Sequence, residues 1–366
     1  MIKATTQKDP FIRVVRRSDI PTWKSWLFRI IAIIAAFALV NIFVFAMTKA
    51  TPLEVCTLMF QGTFGNIFFA KGSIFLIAKL LLIAVALAPA FKMKFWNIGA
   101  EGQVLAGAMI TAFLMVKFSD LPNHILIPLM IVSAIIAGAI WGVIPAIFKA
   151  RWGVNETLFT LMMNYVAMQI VDFFFNSWKG QKASLGILNA TSHKGWLPQF
   201  SDINWVVVIT VLFITVLMYI YLKFTKQGYE IAVVGESVNT AKYAGISVKK
   251  TIIRTMIISG AIAGIAGFLT VAGEDHSVTR DTAGGYGFTA IIVAWLAKFN
   301  TLWMILIATL VIFLEQGTKN ITNVYQSVGF DASASKIVIG IVLFFIIGSE
   351  FFINYKLIRR RSGKEA

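Results

Sequence analysis

The chain has 366 residues, 58% of them hydrophobic and only 14% charged. A soluble domain carries roughly 25% charged residues, so this composition excludes a water-soluble enzyme or binding module and requires lipid to cover the apolar excess. The net charge of +16 would suit a nucleic-acid binder only if it were gathered into a patch; it sits between the apolar stretches instead, so no nucleic acid is expected as a partner.

Residues 1–26 form a basic opening segment with Lys3, Lys8, Arg13, Arg16, Arg17 and Lys24. Apolar blocks follow near 27–47, 73–91, 98–116, 124–148, 156–175, 204–222, 252–273, 285–297, 301–318 and 336–353. Most are close to the ~20 residues of a helix that crosses a bilayer. The tail, 354–366, carries Lys356, Arg359, Arg360, Arg361 and Lys364. Ten crossings put both ends on one side, and the connections 92–97, 149–155, 223–251 and 298–300 then share that side with them. These segments hold most of the Lys and Arg, which marks the side as cytoplasmic. The expected fold is therefore all-α: a polytopic membrane protein of about ten transmembrane helices, with cytoplasmic N- and C-termini and one transmembrane domain over 27–353.

The first block, Trp26 to Met47, has full spanning length and reads as a retained anchor rather than a cleaved signal. Cys56 is the lone cysteine, so no disulfide framework or cysteine metal site can be argued. Block 285–297 is short for a ~30 Å hydrocarbon core and reads as half of a broken helix. Dropping it would place the basic tail outside. A second irregular stretch, Asn97 to Gln103, follows a block at a comparable position in the other half of the chain. Two such breaks fit an internal repeat with broken helices. Gly138 with Gly142, and Gly260 with Gly264, have the spacing that lets helix backbones approach closely.

Several polar groups lie where lipid would penalise them. Glu101, beside Gly99 and Gly102, either braces a helix start or lines the solute path with Asn97 and Gln103. Asn155 and Glu156 suit a helix cap, whereas Asn164, deeper in that helix, is expected to hydrogen-bond across helices or touch solute. Lys79, Asp172 and Glu350 sit where snorkelling can relieve them, and Glu315 is the least easily accommodated. In the long cytoplasmic connection, about 223–254, Ser237 can cap a short helix running to about Ala244, closed by Gly245 in a left-handed turn. A short exposed helix there suits docking on a soluble motor or resting on lipid headgroups. Glu274, Asp275, His276, Arg280 and Asp281 crowd an outer connection and read as solvated charge rather than a metal site. No phosphate-cradling Gly-x-x-x-x-Gly-Lys-Ser/Thr loop occurs in the sequence, so any ATP hydrolysis must come from another polypeptide.

At these positions the chain resembles the bacterial nucleoside and simple-sugar ABC permease family, related to ribose and branched-chain amino-acid permeases. Phe95-Trp96-Asn97-Ile98-Gly99-Ala100-Glu101-Gly102-Gln103 is close to the family's Phe-Asn-Ile-Gly-Ala-Glu-Gly-Gln, and Gly153-Val154-Asn155-Glu156, Leu161 to Tyr165, and Gly235 through Ile246 match further family blocks. One departure is Gly287-Phe288-Thr289-Ala290-Ile291, where the family usually has Gly-Phe-Asp-Gly-Ile. The resemblance implies a transport subunit of the bacterial plasma membrane, without its own ATPase site, that moves nucleosides or a related simple sugar. Its implied partners are a second permease of the same family, two cytoplasmic ATP-binding subunits and an extracytoplasmic substrate-binding lipoprotein. No cofactor or metal is expected on this chain, ATP being used by the partner subunits. Asn97, Glu101, Gln103 and Asn164 are the expected pathway residues; Gly235, Glu236, Ala241, Ala244 and Gly245 are the expected coupling residues. The competing reading is an ion-coupled secondary transporter using Asp172 and Glu315.

Overall fold

A backbone in lipid must satisfy its own N–H and C=O groups, and for these uncharged apolar runs the α-helix does so. The computed structural model describes residues 12–17, 21–180, 185–199 and 204–359. It has a short strand β1 (Ile12–Arg16) and then helices α1 (Thr22–Thr48), α2 (Pro52–Phe64), α3 (Ile67–Lys92), α4 (Ala100–Lys117), α5 (Asn123–Trp152), α6 (Glu156–Lys179) and α7 (Trp205–Phe224). The elbow after α7 holds α8 (Lys226–Glu236) and α9 (Val238–Tyr243). The remainder is α10 (Val248–Thr270), a π-helical turn (Val271–Asp275), α11 (Tyr286–Leu296), α12 (Thr301–Tyr325), α13 (Ala332–Asn354) and strand β2 (Tyr355–Arg359).

Nine helices among the described residues are long and apolar enough to cross a membrane, and α11 is a shorter apolar helix. Strands β1 and β2 pair antiparallel, Ile12 opposite Arg359 and Arg16 opposite Tyr355. The pairing brings residues 12–16 and 355–359 together. Two details depart from the sequence reading: α2 was not anticipated, and α12 continues well past residue 318.

The contacts group the chain into two bodies, residues 1–62 with 314–366, and residues 63–313. In the first, α1 lies along α13 and Arg29 Nη2 meets Glu350 Oε1 at 2.6 Å. Glu350 is thus held by an ion pair rather than by snorkelling. Glu315 takes Lys319 at 2.8 Å, one helical turn on, and the Tyr325 hydroxyl donates to Glu54.

In the second body α10 is the central helix, packed by α3, α4 and α5. The crossing with α5 is built on the glycines picked out by spacing. A Cβ at Gly138 would stand 2.8 Å from the Gly264 Cα, and one at Gly142 2.7 Å from the Met256 carbonyl oxygen. From α4, a Cβ at Gly107 would lie 2.6 Å from the same Gly264 Cα. The four glycines serve helix packing, as small residues do where no hydrophobic force drives helices together in lipid.

Candidate functional site

The chain's two irregular stretches meet. The segment Met93–Gly99 separates α3 from α4 without regular structure, and its side chains Phe95 and Asn97 are buried. Glu101, in the first turn of α4, is 2% exposed. Its carboxylate crosses to the start of α11: Oε1 accepts the Gly285 N–H at 2.8 Å and Oε2 the Gly287 N–H at 2.7 Å. A negative charge thus sits on the positive end of the α11 dipole and satisfies first-turn donors that would be orphaned in a dry interior. Glu101 is a brace, but of the other broken helix rather than of its own.

Lys79 of α3 completes this cluster. Its side chain is buried, its Nζ donates to the Thr282 carbonyl at 2.6 Å, and the ammonium stands 5.5 Å from the centre of the Tyr286 ring. The snorkelling expectation for Lys79 is therefore corrected: the ammonium points at the turn leading into α11, where a carbonyl and an aromatic face replace water. In the departure segment, Ala290 is fully buried and Thr289 donates back to the Gly285 carbonyl at 3.4 Å.

The start of α4 is held from α6. Asn164 is 1% exposed; its Oδ1 accepts the Gly102 N–H at 2.8 Å and its Nδ2 donates to the Ile98 carbonyl at 2.9 Å. Asn97 and Gln103 exchange amide contacts at 3.3 Å, the Asn97 Oδ1 accepts the Gly99 N–H at 3.0 Å, and the Asn97 Nδ2 reaches Ser259 Oγ on α10 at 3.4 Å. All four expected pathway residues are thus buried and turned onto protein, in one hydrogen-bonded knot joining α4, α6, α10 and α11. On the cytoplasmic side of α6, Asn155 caps the helix, accepting from the Thr157 and Leu158 N–H groups at 3.0 and 3.2 Å, and Glu156 pairs with Lys149 at 2.7 Å.

Residues 69–347, more than half of the chain, match the family model for the permease component of branched-chain amino acid transport systems. The chain belongs to this permease family. The permease is 32% identical to the guanosine ABC transporter permease protein NupP of Bacillus subtilis, with 80% of this chain and 84% of that protein covered. It is 28% identical to the glucose ABC transporter permease protein TsgB13 of Haloferax volcanii, covering 93% and 92% of the two chains. With the nucleoside ABC transporter permease protein NupB of Lactococcus lactis it shares 29% identity over 78% of this chain and 80% of the other. No solved structure matches it. As a member of this family with nine long apolar helices among the described residues, it is a multi-pass plasma-membrane transport component.

In the permease's elbow after α7, the cap and the closing turn of α9 follow the sequence expectation. The Ser237 hydroxyl accepts the Thr240 N–H at 3.2 Å to start α9, and Gly245 closes it with a φ of +73°. The expected coupling residues divide into two sets. Gly235 and Ala241 are buried, Gly235 so tightly that a Cβ would lie 3.2 Å from the Met93 Cα. Glu236, Ala244 and Gly245 are exposed, and beside them Tyr243 is 93% exposed. The sequence predicts an apolar surface of Val238, Ala241, Tyr243 and Ala244 offered to a partner; Tyr243 does project, as does Val238, whereas Ala241 is buried.

On the outer side, residues 185–199 lie over the end of α10. The Leu188 and Leu197 N–H groups donate to the His276 and Ala272 carbonyls at 2.7 and 2.9 Å, and the Trp196 ring stacks on His276 with centroids 3.7 Å apart. Burial pushes the His276 imidazole down to about 4; the charges of His193 and Lys71 push the same way and the Val271 carbonyl opposes them. A folded pKa below the ordinary ~6.5 means the neutral ring is favoured, so its stabilisation is present above pH 6.5 and is lost as pH falls towards 4. The expected result is a melting temperature of the purified permease that drops between pH 7 and pH 4.5, with a shallower drop in His276→Gln. An equally steep drop in the variant would remove His276 as the cause.

Proposed function

We propose that this permease is the membrane-spanning subunit of an ATP-driven nucleoside importer, working with a second permease, two cytoplasmic ATP-binding subunits and an extracytoplasmic solute-binding lipoprotein. The observation that carries the cargo is the pair of relatives named for guanosine and for nucleosides, each matched over most of its length. The coupling role rests on α9, a capped helix whose exposed Tyr243 offers a ring to a soluble partner. ATP closing the two motor subunits would move α9, and the helices would rock so that a central path opens first to one side and then to the other. Glu101 and Asn164, which tie α4 to α11 and α6, would keep the broken helices together during that motion.

The test is uptake of labelled guanosine in cells with and without this chain, the partner genes being intact. Loss of uptake is expected on deletion, and unchanged uptake would reject the assignment. For coupling, Tyr243→Glu is expected to lower uptake at least tenfold while the protein stays in the membrane; normal ATP-driven uptake in that variant would reject α9 as the contact. The relative named for glucose covers 93% of this chain, so labelled glucose is run in the same assay as the second reading.

A further inference from the structure

Helix α6 presents an unusual face. Viewed down its axis, Tyr165, Gln169, Asp172 and Asn176 follow at i, i+4, i+7 and i+11, so they form one stripe from mid-helix to the outer end. Asn164, Ala167 and Val171, on the opposite side, are buried. Tyr165 is 57% exposed and Phe173 69%, and Gln169 and Asn176 are exposed between and beyond them. The Tyr165, Gln169 and Asp172 side chains make no hydrogen bond or ion pair with any described residue. Gln169 lies near the middle of the helix, about 15–20 Å from either end at 1.5 Å per residue, which places its amide close to the bilayer midplane.

Hydrocarbon is an unfavourable cover for the polar part of this stripe. An amide and a phenol without partners are costly in hydrocarbon, and polar groups at that depth face protein or water. Helices α5 and α7 show a contrast. Between residues 125 and 148 the exposed positions of α5 are all apolar, as are those of α7 from Trp205 to Ile220. A groove of about 460 Å³ lies beside the α6 stripe and shares Tyr165 and Gln169 with it, with Val166, Ile170, Phe173 and Phe174 completing its lining. It is an aromatic ring, an amide and a second aromatic ring, each one helical turn apart.

We infer that this stripe lines the water-filled solute path and that Tyr165, Gln169 and Phe173 form the contact surface for the cargo's planar base. The inference rests on the nucleoside reading above and adds the residues that touch the cargo. A nucleobase has a π-face for the two rings and a donor–acceptor edge for the amide, which can both donate and accept. A free sugar has no ring face of that kind, so the base rather than the ribose is what the groove reads. Asp172 and Asn176 continue the polar stripe outward and keep the path wet up to the groove.

The experiment uses the reconstituted importer with its partner subunits in proteoliposomes. In a Cys56→Ser background, Q169C and, as a lipid-facing control, I209C are treated with a water-soluble methanethiosulfonate. Q169C is expected to react at least tenfold faster than I209C, and saturating guanosine is expected to slow it at least fivefold where ribose does not. Equal rates at the two positions, reaction of Q169C only with a lipid-soluble maleimide, no protection by guanosine, or equal protection by ribose would each overturn the inference. Gln169→Leu is expected to lower guanosine uptake about tenfold while co-purifying normally with the ATP-binding subunits; undiminished uptake would overturn it as well. If the unmodified importer takes up no guanosine, the nucleoside reading falls and this inference with it, whereas normal uptake with an unprotected Q169C thiol removes the groove alone.

Discussion

Glu101→Ala is expected to lower uptake at least a hundredfold while leaving the chain inserted in the membrane. The carboxylate accepts two backbone N–H groups at 2.7 and 2.8 Å in a buried setting, and hydrogen bonds to charged groups contribute about 1.5–3 kcal/mol each. Truncation strands both donors at the start of α11. Breaking one partner of a buried charge arrangement costs about 3–5 kcal/mol, and each ~1.4 kcal/mol is a factor of ten in a population. The affected equilibrium is the docking of α11 on α4, so the working arrangement of the broken helices becomes the minor one. Glu101→Gln keeps one acceptor but turns an NH₂ towards a donor, and Glu101→Asp is a methylene too short to serve both N–H groups; both should fall between. Uptake of labelled guanosine measures function, and hydrogen exchange over residues 285–296 measures the docking. Wild-type uptake with unchanged exchange in Glu101→Ala would reduce Glu101 to a space-filler.

The second large effect concerns assembly rather than transport. Gly264→Leu is expected to leave less than a tenth of the wild-type amount of protein in the membrane. A Cβ there would already lie 3.0 Å from the Ala134 carbonyl carbon and 3.2 Å from the Gly138 Cα, and both are backbone that cannot rotate away. Overpacking typically costs about 1–3 kcal/mol where neighbours can adjust. Here the backbone of α5 would have to leave α10, so the loss is larger. Gly264→Ala should be intermediate. Gly340, with nothing within 4 Å of an added Cβ, is the control, and Gly340→Ala should accumulate normally. Quantitative immunoblots of membrane fractions decide the matter, and normal levels of Gly264→Leu would mean that α5 and α10 are not in contact in the cell.

The spans were legible because bilayer thickness fixes the length of an apolar run, a constraint that acts on sequence directly. The same constraint exposed α11 as too short. α2 escaped because Glu54, Gln61 and Gly62 dilute its apolar run, and the end of α12 escaped because Thr318, Lys319 and Asn320 read as a boundary. The caps at Asn155 and Ser237 were legible because a cap acts within a turn of its own residue. What the sequence does not carry is partnership at long range. Glu101 and Gly285 are 184 positions apart, and nothing local distinguishes a carboxylate that braces its own helix from one that braces another. Lys79 misled for the same reason: an ammonium in an apolar run looks alike whether it reaches headgroups or a buried carbonyl. The α6 stripe was readable as an i, i+4, i+7, i+11 pattern, yet Asp172 taken singly resembled an interfacial residue, and the stripe's meaning came only with knowing which side of α6 is covered.

The ribbon formed by β1 and β2 ties the fates of the two tails. Each strand supplies the other's hydrogen-bonding partner, so stripping either one leaves its mate as a lone edge with nothing to hold it. Energetically Ile12–Arg16 and Tyr355–Arg359 are a single element, and removing one strand is equivalent to removing both.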